Sequence, residues 1–146
     1  MTTNTTKTAP FTTPFDSYAC EGDTITGTLA GYDLTARIVH DQNTRIDDDD
    51  CHNPDQSVTG CDDEQQKKLL AARRAWFDDE WFYCGVVISV SWGGVLIDSH
   101  AASLWGIECN YPGGNNSYLL EVANELAGEA VEQSDRERAR IVAALA

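Results

Sequence analysis

The chain predicts an α+β domain, an antiparallel sheet of about four to five strands with two or three helices packed on it. Three observations carry that expectation. Alternating apolar residues recur in strand-length runs between glycine turns, the run from Trp81 to Ser91 is apolar on both faces, and two stretches place apolar residues at helical spacing. With 146 residues, one domain is expected. A chain of that size buries roughly two thirds of its unfolded surface. A hydrophobic content of 42% with 9% aromatics belongs to a folded chain, not to an acidic disordered tail.

Met1 to Phe15 is Thr-rich with Pro10 and Pro14. Residues 1–20 are therefore expected as a loose arm ahead of a domain spanning 21–146. Ile25, Gly27 and Leu29, then Tyr32, Leu34, Ala36 and Ile38 across an Ala30-Gly31 turn, predict a β-hairpin. Asp41 to Glu64 reads as a long polar loop, broken by Pro54 and Gly60. A helix follows, with Asp62 as N-cap, Gln65 three residues on, and Arg73 and Arg74 in its last turn.

Trp81 to Ser91 is the strongest strand signal. Phe82, Cys84, Val86, Ile88 and Val90 share one face, while Trp81, Tyr83, Gly85, Val87 and Ser89 share the other. Apolar residues on both faces mark a central strand. Gly93-Gly94 turns the chain, Val95 to Ile97 runs back, and Ala102 to Cys109 supplies a further strand, a meander of three. Asn116 or Ser117 is expected to cap a helix to Gln133 with Leu119, Val122, Leu126 and Ala130 buried. Ser134 to Leu145 reads as a separate helical segment.

Charge is the second organising feature. The net charge is −14, and it is unevenly placed: residues 75–135 hold ten carboxylates and neither Lys nor Arg. Direct nucleic-acid binding is disfavoured, because affinity for phosphate comes from Lys and Arg releasing counterions. The complementary partners are basic. Five cysteines without close pair spacing, together with no apolar leader run, predict a reduced, cytoplasmic protein. No run is long and apolar enough to predict a membrane span.

Glu121, Glu125, Glu129 and Glu132 fall on one helical column, about 6 Å apart at each four-residue step. Like charges at that spacing cost about 0.2–0.5 kcal/mol per pair, and no Lys relieves them. A bland reading makes this a solvated face. Asp78, Asp79 and Glu80, and the block Asp47, Asp48, Asp49 and Asp50, favour a surface imitating nucleic acid.

Other chemistries are weaker. Asn53, Asp55, Ser57, Thr59 and Glu64 take calcium-loop positions, but Val58 stands where the loop needs Gly. His40, Cys51, His52 and Cys61 lack zinc-site spacing. Cys84 or Cys109 with His100 is the nearest approach to a catalytic pair, yet a Cys on an apolar strand is ordinarily a small buried hydrophobe. Asn110 to Asn116 has the glycines of a phosphate cradle but no accompanying Lys. No catalytic residue, metal or cofactor is expected.

The runs Asp79 to Ser91, Ala102-Ser103-Leu104-Trp105-Gly106-Ile107-Glu108 and Asn116-Ser117-Tyr118-Leu119 through Glu125-Leu126 resemble a family of small acidic proteins encoded by phages and other mobile elements. The resemblance covers about residues 31 to 132. It implies a mobile-element protein acting inside a bacterial host, and it carries over no catalytic residue. The expected function is a nucleic-acid mimic that inhibits a host defence protein of the CRISPR or restriction type by filling its basic DNA or RNA groove. The alternatives are an assembly protein of a mobile element, or a weak calcium-binding module. The oligomeric state stays open, a homodimer included.

Overall fold

Two hairpins lie side by side to make the sheet. The computed structural model describes residues 9–48 and 63–146. Strands β1 (Thr24–Leu29), β2 (Tyr32–His40), β3 (Phe82–Trp92) and β4 (Val95–Cys109) pair antiparallel in the order β1-β2-β3-β4. Helix α1 (Asp63–Phe77) separates the hairpins, one 3-10 turn (Ile46–Asp48) follows β2, and α2 (Ser117–Leu145) follows β4. Among the described residues the fold is α+β, with four strands and two α-helices. Both hairpins turn through two residues of positive φ, Ala30 (53°) with Gly31 (84°) and Gly93 (56°) with Gly94 (81°). That geometry matches the right-handed twist of the flanking strands.

The central strand divides the core as its alternation requires. Cys84, Val86, Ile88 and Val90 meet Leu34, Ala36 and Ile38 beneath Leu119, Ala123, Leu126 and Ala130 of α2. On the opposite face Trp81 and Tyr83 form a smaller cluster with Ile46 and Ala75 of α1. Helix α2 therefore covers one face of the sheet, while α1 meets the cluster on the other face only near its C-terminal end, through Ala75 and Trp76. Among the described residues no helix is long and apolar enough to cross a membrane.

Three expectations are corrected. Val95 to Ile97 and Ala102 to Cys109 belong to one strand, not two, since β4 runs unbroken with bulges. Ile88 pairs with Ala102 and Val90 with Asp98, so Ser99, His100 and Ala101 bulge out instead of turning the chain. Likewise α2 does not break at Ser134. Tyr32 donates from its hydroxyl to Asp135 Oδ1 (2.5 Å), and the Arg138 guanidinium lies 4.4 Å from the Trp92 ring centre, so tertiary contacts carry the helix through the expected boundary.

The third correction concerns the amino-terminal arm. Residues 1–8 lie outside the described residues, but the segment 9–20 is anchored on the core by Phe11, Phe15 and Ala19, each at most 5% exposed. Two asparagines clamp this segment by both polar atoms of their amides. Phe11 N–H donates to Asn124 Oδ1 (2.9 Å) and Asn124 Nδ2 donates to Phe11 C=O (3.1 Å). Asn110 repeats the arrangement on the backbone of Ala19, at 2.8 and 2.7 Å. Gly27 permits the crossing, because a Cβ there would stand 2.4 Å from the Pro10 carbonyl oxygen.

Candidate functional site

The acidic residues picked out from the sequence do not form one surface. Glu121, Glu125, Glu129 and Glu132 are all exposed, on the side of α2 opposite its buried stripe. They span about 16 Å of helix at 1.5 Å per residue. Among the described residues none of the four makes an ion pair. Asp78, Asp79 and Glu80 belong to the other face of the sheet, at the end of α1. There Asp47 is paired with Arg73 (2.7 Å), and Arg74 stands 4.0 Å from Asp78. The expectation of uncompensated carboxylates thus fails for Asp47 and is weakened for Asp78, because α1 delivers Arg73 and Arg74 to them. Asp48 stays exposed and accepts from the Arg45 N–H of its own loop (3.2 Å). Asp49 and Asp50 lie outside the described residues, as do residues 53–62 of the calcium-loop run from Asn53 to Glu64.

The helix end explains the triplet. Asp79 N–H donates to Trp76 C=O (3.1 Å) and Glu80 N–H to Ala75 C=O (2.9 Å), with Asp79 at φ 59°. This is a Schellman closure with Asp where Gly usually sits, so these acids terminate α1 whatever else they do.

The start of α2 departs from expectation too. Asn116 occupies the N-cap position at φ 63°, but its side chain makes no cap hydrogen bond. It is 2% exposed and committed elsewhere: Oδ1 accepts from Asn110 N–H, and Nδ2 donates to Asn110 Oδ1 (both 2.8 Å). Asn115 Oδ1 covers the Ser117 N–H in its place (3.0 Å). The glycine-bearing loop is therefore a junction between β4, α2 and the amino-terminal segment. Asn110 and Asn116 turn their amides inward onto the protein, while Asn115 stays exposed.

The cysteines and His100 are kept apart. Cys84 and Cys109 are fully buried in the main core, where the hydrogen bond to Cys109 and burial push the Cys84 thiol well above its ordinary value. His100 is exposed, Nε2 2.8 Å from Ser103 Oγ and its ring stacked on Trp105. Trp105 in turn lies flat over Gly85, where a Cβ would stand 2.4 Å from the indole. Among the described residues no three His, Cys, Asp or Glu side chains converge on a metal position.

One concavity went unread in the sequence. A cavity of about 600 Å³ opens between the amino-terminal segment, the exit of β2 and the end of α1. Trp76, Phe77, Trp81 and Phe82 supply aromatic wall, with Tyr18 at its edge and Glu21 and Asp79 among the acids that line it. Asp41 holds the loop that shapes it. Its carboxylate accepts from the N–H groups of Asn43 (3.0 Å), Thr44 (3.2 Å) and Gly106 (3.0 Å) and from the Thr44 hydroxyl (2.7 Å). Burial pushes its pKa up, but these four donors outweigh burial and leave the carboxyl below its ordinary value. The sequence signal for the cavity was the paired aromatics Trp76-Phe77 and Trp81-Phe82. Their convergence with Tyr18 depends on pairings that span most of the chain.

The fold and these surfaces define an α+β domain that presents an acidic helix on one face of its sheet and an aromatic cavity beside the end of α1. No family model, no curated protein and no solved structure matches the chain.

Proposed function

We propose that this chain is a non-enzymatic acidic decoy that occupies the basic nucleic-acid groove of a partner protein through the outer column of α2. The supporting observation is the column itself: four exposed carboxylates in line on a helix held from beneath by the sheet, with no cation among the described residues paired to them. A helix that retains like charges at each four-residue step forgoes stability. A basic groove returns it by supplying opposite charge, and such complementarity governs encounter rate and partner choice. The setting that fits is the cytoplasm of a bacterium carrying a phage or related element, with a DNA- or RNA-handling defence protein as the partner. Asp78, Asp79 and Glu80 leave the contact set, since they belong to the opposite face.

The test is capture from bacterial lysate at low and high salt, followed by competition with duplex DNA. The expected catch is a nucleic-acid-handling protein released by salt and by DNA, with capture weakened about tenfold or more in a Glu125→Lys/Glu129→Lys variant of unchanged circular dichroism. Equal capture by the double variant removes the column from the site. Association indifferent to salt supports an assembly role in a mobile element instead.

A further inference from the structure

We propose that the aromatic cavity beside the end of α1 is a second binding site, one that takes a guanidinium cation. It stands on different elements from the α2 column and does not depend on it. At about 600 Å³ the cavity falls within the size range of small-ligand sites. Its aromatic groups are unevenly spent. Trp81 is a buried floor, but Tyr18 and Phe77 remain 65% and 51% exposed, apolar surface that an occupant would remove from water.

The local chemistry selects a cation. The protein's own guanidinium groups already lie against these rings: Arg45 is 5.8 Å from the Trp76 centre, and Arg73 is 5.1 Å from the Phe77 centre. A ring face attracts such a group through its quadrupole, more strongly as water is excluded. Two carboxylates complete the recognition. Glu21 Oε2 accepts from the His40 N–H (2.8 Å), which orients the side chain, while Asp79 carries no ion pair among the described residues. Arg45 opposes an incoming cation by like charge and shares the Trp76 face, so it acts as a built-in competitor.

The test is titration of the full chain with agmatine, an alkyl guanidinium with a primary ammonium at its other end, followed by tryptophan fluorescence, with N-carbamoylputrescine, which keeps the ammonium and replaces the guanidinium by a neutral planar urea, as the control. Agmatine is expected to saturate with a Kd of about 1 mM and the urea to bind at least about fivefold more weakly. Glu21→Gln and Phe77→Ala should each weaken agmatine by about threefold or more, whereas Arg45→Ala should tighten it, a gain that a misfolded variant cannot produce. Asp79→Gly should also weaken agmatine, and it leaves the helix end intact because Gly suits the left-handed position. A capped Gly-Arg-Gly peptide identifies the source: tighter binding than agmatine assigns the site to an arginine of a protein partner, weaker binding to a free small cation. Agmatine no tighter than the urea, or unmoved by the cavity variants, overturns the proposal. The Glu125→Lys/Glu129→Lys variant should bind agmatine as the parent does, so failure here leaves the decoy reading standing, and the reverse.

Discussion

Asp41 shows how one buried carboxylate can hold a loop in shape. Four donors converge on it, and two of them come from Thr44, which itself lines the cavity. Because its folded pKa lies below the unfolded value, the ionised form favours folding. That stability is present above the ordinary carboxyl range and is lost as pH falls through the lowered folded pKa. Asp41→Asn is expected to cost about 2 kcal/mol at neutral pH, since an amide nitrogen would oppose donors that now meet an oxygen. Urea unfolding should show the gap to the parent narrowing as pH falls through and below the ordinary carboxyl range, as the parent carboxyl takes up its proton. At this scale the sequence was legible wherever the cause was local. The Glu column of α2 follows from helical period alone and is exposed as expected. The roles of Asn110, Asn116 and Asn124 were not legible, because their partners lie up to 113 residues away and the residue type announces only a turn former.

Among the elements, α2 departs most from its local signals. Ser134-Asp135 resembles a helix start, and intrinsic preference would break the chain there. The contacts of Asp135 with Tyr32 and of Arg138 with Trp92 override it. The continuation leaves Ser134 fully buried, its hydroxyl without a hydrogen-bond partner among the described residues. Ser134→Ala is expected to raise stability by about 0.5–1 kcal/mol, by removing an unmet polar group and supplying a better helix former. Thermal unfolding should register that as about 2–4 °C per kcal/mol. β4 teaches the same lesson from the other side. Asp98-Ser99-His100 has the composition of a turn, yet the pairing of β3 continues past it and absorbs the extra residues as a bulge. The hairpin of β1 and β2 and the division of β3 into two apolar faces were legible, since a period of two is a property of the strand itself.

For the whole molecule, the amino-terminal segment decides how the core is closed. Phe11 is 1% exposed and lies in the main cluster with Leu119 and Ala123 of α2. Phe11→Ala is expected to cost about 3–5 kcal/mol, measured by urea unfolding, a large share of an ordinary domain's stability. The Thr-rich composition of residues 1–15 concealed this, because a few buried apolar residues suffice once side-chain amides take up the backbone. The sheet likewise sorts the acids. Positions 47, 78 and 121 look alike in a charge count, and only the pairing of four strands places α2 and the end of α1 on opposite faces.

The clamp between Phe11 and Asn124 also has a meaning in time. The two residues are 113 positions apart. At about 5–20 residues per second, the interval between their syntheses is about 6–23 s. For that interval the opening segment is a nascent, unsatisfied strip bearing Phe11 and Phe15. The clamp cannot form before Asn124 is made, so the docking of Phe11 on α2 comes late in synthesis.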